Sequence, residues 1–185
     1  MDADEERPVV TSLVIGTSHE YQRHQDRSAE RERIRERLEN IIRKAICESH
    51  VDLIAEEAGS KEQVHAQLKA DEAKTAAFDV LFAETKAVDE PQDTIARLVA
   101  DASGVRYVDI RPPSANPLPK DADNGAIAKR DEEMVAMLLE PLRLATSVLV
   151  ICGARHRDGL ARHLEQRGIR VERQRFPENL EVHEP

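Results

Sequence analysis

Residues 147–156 read SVLVICGARH, and this stretch decides the fold that we expect for the chain. Its apolar core, VLVIC, is uninterrupted by polar residues, so it predicts a strand that helices cover on both faces of a parallel sheet. Gly153 ends the run and permits a sharp turn, and His156 follows three residues later. The stretch therefore predicts a central strand with a histidine near its carboxyl end, where open α/β sheets bind their ligands.

The first strand of the chain has the same form. Residues 9–15 are apolar or β-branched except for one serine, and they lead into GTSH, which has the same glycine-to-histidine spacing as GARH. If the two strands are parallel and near neighbours, His19 and His156 leave the sheet at one edge. Two imidazoles at a common edge are typical of a metal site or of a general acid–base site.

Strand and helix patterns alternate along the rest of the chain. The expected strands cover 9–15, 51–55, 105–110, 148–152 and 169–176, and the expected helices cover 28–49, 91–101, 125–141 and 158–167. This alternation predicts an α/β fold: a layered single domain over 9–176, with a largely parallel sheet of about five strands and helices on both faces. Residues 1–8 are expected to be a flexible N-terminus and 177–185 a C-terminal tail. A helix is expected within 60–88, and 114–124 is expected to form a loop or lid.

Composition narrows the classes of function. The 185 residues carry a formal net charge of −9, so the chain lacks the basic surface that nucleic-acid binding needs. The first residues are acidic and no apolar run approaches the length of a membrane span, so we expect no signal peptide, no membrane partner and a cytoplasmic location. The expected partner is a peptide or small-molecule substrate.

Carboxylates and histidines are expected to meet at the carboxyl edge of this sheet. Two histidines and a carboxylate commonly hold a catalytic divalent ion that keeps one position open for water. Glu56 and Glu57 follow the second strand and point to opposite sides if that strand continues, so only one of them faces the site. We select Glu56, which makes His19, Glu56 and His156 the predicted ligands of manganese, cobalt or zinc.

Arg130 is the other predicted catalytic residue. It shares a helical stripe with Ile127, Met134 and Leu138, so its guanidinium must either reach outward or meet an anion. In one interpretation it points to the edge of the sheet and holds a carboxylate or a developing oxyanion. In the other it pairs with an acidic neighbour such as Glu56.

Three further residues are candidates for substrate binding. Asp109 and Arg111 lie two apart on one side of their strand, so they form either part of the site or a simple ion pair. Tyr21 lies two residues after the first histidine motif and is a candidate for substrate contact.

Together, GTSH, VDLIAEE, the helix that bears Arg130 and VLVICGARHRDGLARHLEQRGIRV resemble the Tiki/TraB superfamily, which includes erythromycin esterase-like and ChaN-like proteins. That superfamily is marked by two GxxH motifs, an intervening glutamate and an arginine. The resemblance implies a hydrolase-like centre: Tiki-type members are metal-dependent proteases, erythromycin esterase-like members use a histidine general base, and ChaN-like members bind haem. It implies that the functional residues are His19, Glu56 or Glu57, Arg130 and His156.

Two hypotheses from different classes follow. The first is a soluble metal-dependent hydrolase of a peptide, amide or ester bond, with two histidines and a glutamate at its centre and Arg130 as the oxyanion stabiliser. The second is a non-catalytic binding or regulatory module that uses the same edge for haem or another small ligand.

Overall fold

The computed structural model of the chain describes residues 11–17, 29–58, 93–112 and 122–176. Several predictions fall outside these residues: His19, Tyr21, the helix expected within 60–88, the residues before 11 and after 176, and most of the expected loop at 114–124.

A parallel five-stranded sheet forms the centre of the fold. The strands are β1 (Thr11–Thr17), β2 (Leu53–Glu56), β3 (Arg106–Asp109), β4 (Ser147–Gly153) and β5 (Arg170–Arg175). Their order across the sheet is β3-β2-β4-β1-β5, and every neighbouring pair is parallel. All seven residues of β4 are buried, as its uninterrupted apolar run predicts. The predicted α/β fold is confirmed.

Helices cover both faces of the sheet, as predicted. They are α1 (Ala29–Glu48), α2 (Ile95–Ser103), α3 (Asn124–Leu142) and α4 (Arg157–Glu165). The apolar sides of α1 and α2 pack with one face of the strands, and those of α3 and α4 pack with the other face. No helix in the described ranges is long and apolar enough to cross a membrane.

The bounds of all four helices differ from the expected ones by one to four residues, and for α2 and α3 local residues explain where the helix begins or ends. Helix α2 begins at Ile95 rather than at 91, because the Thr94 side chain accepts a hydrogen bond from the N–H of Arg97 and so caps the first turn. It ends where Gly104 adopts a left-handed conformation with φ of 66°. Pro141, expected to bend or end α3, lies in its last turn, and the helix ends one residue later.

The two strands that lead into the GxxH motifs are parallel neighbours, as expected. Strand β1 pairs with β4 in a register that places Gly16 opposite Cys152 and Thr17 opposite Gly153. A Cβ at Gly16 would lie 3.0 Å from Arg157 Cβ and 3.1 Å from Ala154 Cα. The glycine of the first motif therefore allows the turn after β4 and the start of α4 to approach β1 closely.

The far edge of the sheet is formed by β5, whose sequence is RVERQR. Among the strands that the structure describes, β5 pairs with β1 alone, and four of its six residues are exposed. The Arg173 guanidinium donates to the Glu165 carboxylate of α4 at 2.5 Å. This pair connects the edge strand with the helix that packs over it.

Candidate functional site

Four buried polar side chains meet beyond the carboxyl ends of β2 and β4. The exposed fraction is 1% for Glu57, 6% for Arg130, 2% for Asp131 and 6% for His156. Burial of ionisable groups is costly unless each finds a charged or hydrogen-bonding partner. We call these four residues the charged cluster, and they contact one another.

His156 and Asp131 form the shortest contact of the charged cluster. The Nδ1 atom of His156 lies 2.6 Å from Oδ1 of Asp131. Because a carboxylate only accepts, it favours the tautomer that carries the proton on Nδ1 and leaves a lone pair on Nε2. The backbone N–H of His156 donates to the carbonyl of Gly153 at 2.8 Å, so the turn between β4 and α4 fixes the imidazole. Asp131 and the turn thus orient a ring whose Nε2 is suited to accept a proton.

Glu57 holds Arg130 and the end of β4. Its Oε1 lies 3.1 Å from a terminal nitrogen of Arg130, and its Oε2 accepts the backbone N–H of Gly153 at 3.0 Å. The same Oε1 is 3.9 Å from Nε2 of His156, which is beyond hydrogen-bond distance. Arg130 therefore pairs with an acidic neighbour, as one of the two interpretations expected, but the neighbour is Glu57 and the positive charge stays beside the imidazole.

Glu56 lies on the opposite face of the sheet, so the prediction that it shares a site with Arg130 and His156 is wrong. Its Oε2 accepts hydrogen bonds from the hydroxyls of Thr94 at 2.5 Å and Tyr107 at 2.8 Å. Burial, and then the Glu56 carboxylate, raise the pKa of Tyr107 above its ordinary value. Successive strand residues face opposite sides, and the chain continues extended past Glu56, so Glu57 is the residue that faces α3. Glu57, and not Glu56, is therefore the glutamate that lies near Arg130 and His156.

The predicted set of metal ligands is not brought together in the described residues. Glu56 and His156 lie on different faces of the sheet, and His19 lies outside the described ranges. No group of three His, Cys, Asp or Glu side chains that the structure describes is arranged to hold a metal ion. The carboxylates nearest to His156 already bind its imidazole, Arg130 and a backbone N–H. This donor set does not fit the predicted manganese, cobalt or zinc site.

Asp109 connects the ends of two strands and is not simply an ion-pair partner of Arg111. Its Oδ1 accepts the backbone N–H of Arg111 at 2.9 Å and that of Ala58 at 3.3 Å. The carboxylate therefore ties the end of β3 to the residue that follows Glu57. Arg111 is consequently held next to the charged cluster, and its role in substrate binding stays a prediction.

Asp131 is the residue of the charged cluster that sequence analysis missed. It lies four residues after Ile127 and four before Val135, which places it on the inward side of α3. Gly159 gives a second indication, since a Cβ at that position would overlap Oδ2 of Asp131. The sequence did contain a sign that Asp131 is buried. This carboxylate lies on the apolar stripe of α3 next to Arg130, and the helix that follows the central strand contains a glycine that leaves room for it.

Replacement of Gly159 by alanine tests this packing. Alanine in a helix ordinarily stabilises a protein by about 0.5–1 kcal/mol relative to glycine. Here the added Cβ would overlap Asp131, so we expect Gly159→Ala to lower the free energy of unfolding by about 1–3 kcal/mol. Urea unfolding measures the change. The double variant Gly159→Ala, Asp131→Ala is the control, because removal of the carboxylate should abolish the additional cost of the Cβ. A more stable single variant would contradict the packing.

Comparisons of this chain with protein-family models, with curated proteins and with solved structures each gave no match. The similarity to the Tiki/TraB superfamily therefore rests on the motifs quoted above.

Proposed function

We propose that this chain is a hydrolase that cleaves an ester or amide bond, with His156 as its general base. The observation that carries the proposal is the 2.6 Å contact between Asp131 and the buried His156 at the carboxyl end of the central strand. A carboxylate that fixes the tautomer of a histidine is a recurring arrangement in acyl transfer. The proposed substrate is a peptide or a small molecule.

In the proposed reaction, Nε2 of His156 takes a proton from water as the water oxygen bonds to the carbonyl carbon. The carbonyl oxygen gains the negative charge, and Asp131 stabilises the imidazolium that forms. The imidazolium then gives its proton to the departing oxygen or nitrogen as the carbonyl forms again. In this proposal the charge of Arg130, whose guanidinium lies 3.1 Å from Glu57, stabilises the oxyanion.

The resemblance to the Tiki/TraB superfamily supports this choice of reaction. Its erythromycin esterase-like members open an ester with a histidine general base, and the corresponding histidine of the second motif is His156. Burial of the whole charged cluster supports it further, since charges act more strongly where water is excluded.

The experiment that tests the proposal is a hydrolysis screen with the wild-type protein, His156→Gln and His163→Gln. His163 lies in α4 outside the charged cluster and is the matched control. We expect aryl esters or aryl amides to be hydrolysed by the wild type and by His163→Gln, with the activity lost in a His156→Gln protein of unchanged circular dichroism. Each assay is run after chelation and after addition of manganese, cobalt or zinc.

Two results would count against the proposal. Hydrolysis that is equal in all three folded proteins would remove His156 from the reaction. Absence of hydrolysis, together with a Soret band on titration with haem, would favour the binding module instead.

A further inference from the structure

Arg111 is fixed at the same edge of the sheet as the charged cluster. Its backbone N–H donates to Asp109, and the same carboxylate oxygen accepts the N–H of Ala58, which directly follows Glu57. The N–H of Ile110 donates to the carbonyl of Glu56 at 2.9 Å. Three hydrogen bonds therefore hold the backbone of Arg111 beside the end of β2.

The guanidinium of Arg111 has no anionic partner within the described ranges. Its Nε is buried and makes no hydrogen bond there, although the residue is half-buried. Burial, and then the neighbouring Arg130 charge, lower the pKa of Arg111 below its ordinary value, and Glu57 and Asp109 offset this only in part. Two guanidinium groups thus stand near one another, and Glu57 forms its ion pair with Arg130.

A second observation argues against a simple structural role for Arg111. The nearest carboxylate in sequence belongs to Asp109. Its Oδ1 accepts hydrogen bonds from two backbone N–H groups and not from the guanidinium. A partly desolvated positive charge without an ion pair weakens the folded state, unless a bound anion compensates for it. Residues with this property are typical of binding sites, where stability is lower than the fold would otherwise allow.

We propose that Arg111 and Arg130 together bind an oxyanionic group of the substrate, a carboxylate or a phosphate, next to the bond that is hydrolysed with His156 as general base. This inference rests on the proposed function and adds the substrate class: an ester or amide that carries such a group. Guanidinium groups present planar arrays of N–H donors that match both kinds of anion. The Arg130 guanidinium is paired with Glu57, and the Arg111 guanidinium, which has no anionic partner in the described ranges, supplies the attraction.

Anion binding is tested without turnover, by melting the wild type, Arg111→Gln and Arg162→Gln in inorganic phosphate, in succinate and in sodium chloride of equal ionic strength. Arg162 is an exposed arginine of α4. Its replacement by glutamine removes the same charge as Arg111→Gln, so Arg162→Gln is the matched control. We expect phosphate or succinate to raise the Tm of the wild type and of Arg162→Gln. In Arg111→Gln the apparent Kd should rise about tenfold or more, since a charge-assisted hydrogen bond is lost. The anion that raises the Tm of the wild type more shows whether the site prefers a phosphate or a carboxylate.

The same series includes a readout in sodium chloride alone. If Arg111 serves binding, Arg111→Gln without phosphate or succinate should melt at the wild-type temperature or above it, because a charge near Arg130 has been removed. A lower Tm in sodium chloride would show that Arg111 stabilises the fold, and it would overturn the inference. Failure of both anions to stabilise the wild type, or equal losses in both variants, would overturn it too.

Failure of this inference can be told apart from failure of the proposed function by assay of paired esters, one neutral and one with a carboxylate or phosphate. We expect the ratio of kcat/KM for the anionic ester to that for the neutral ester to fall about tenfold in Arg111→Gln. An unchanged ratio with activity that still requires His156 would overturn the anion site alone. Anion binding that requires Arg111, with no hydrolysis of any ester, would overturn the proposed function alone.

Discussion

Replacement of Asp131 by asparagine is expected to lower kcat of the proposed hydrolysis about 10³- to 10⁴-fold while the protein stays folded. Asparagine has nearly the same shape as aspartate, so the packing against Gly159 is kept. Its amide, however, can donate to Nδ1 of His156, which moves the ring proton to Nε2 and removes the lone pair that takes the proton from water. Asp131 acts through His156 and is therefore a positioning residue.

Steady-state kinetics on the best substrate of the screen measure this effect. The fall should appear in kcat with KM little changed, because Asp131 orients the base and does not touch the substrate. Asp158→Asn is the control: Asp158 is an exposed aspartate in the first turn of α4 that pairs with Arg157. If Asp131→Asn keeps most of the wild-type kcat, the tautomer of His156 does not limit the reaction and the proposed role of Asp131 is wrong.

Replacement of Glu57 by glutamine is expected to lower the free energy of unfolding by about 3–5 kcal/mol at neutral pH. Glutamine keeps an oxygen that can accept the N–H of Gly153, but it removes the charge that pairs with Arg130. The Arg130 side chain is only 7% exposed, so water cannot replace the lost carboxylate. The buried guanidinium then loses its ion pair with Glu57.

Glu56→Gln is a closely matched control, since Glu56 is the preceding residue and is equally buried. Its carboxylate accepts from two neutral hydroxyls, and an amide oxygen can accept from the same groups, so we expect a loss of only about 1 kcal/mol. Urea unfolding of both variants measures the difference. A larger loss for Glu56→Gln than for Glu57→Gln would contradict the separation of the two side chains onto different faces.

The fold and one side of the site could be predicted because each rests on a local pattern. The run over 148–152 is apolar at every position, which is typical of a strand covered on both faces, and β4 is the central strand of the structure. The residues just after such a strand lie at the carboxyl edge of the sheet, so His156 could be placed at that edge. Arg130 could be placed on the inward stripe of α3 by helical spacing alone.

The choice between Glu56 and Glu57 could not be made from the sequence. Leu53, Ile54 and Ala55 are all apolar and all buried, because β2 is covered on both faces. Without an alternation of polar and apolar residues, nothing local shows which face each position takes. The face is set by the packing of α2 and α3, which belong to distant parts of the chain.

Asp131 was missed for a related reason. It stands in the run RDEE, where charged neighbours indicate a solvent-exposed surface, and its partner His156 is 25 residues away. The contact depends on how α3 and α4 cross over the sheet, and only Gly159 hints at the closeness of that crossing. Side-chain partners between separate elements are set by tertiary packing, which spacing along one element does not encode.

The charged edge strand β5 affects how the molecule behaves at high concentration. A strand at the end of a sheet leaves a row of backbone donors and acceptors open to another chain, and such edges invite aggregation. In β5, Arg170, Glu172, Arg173 and Arg175 are exposed, so an incoming strand would have to desolvate or repel several charges. This side of the sheet thereby resists the addition of a sixth strand from a neighbouring molecule.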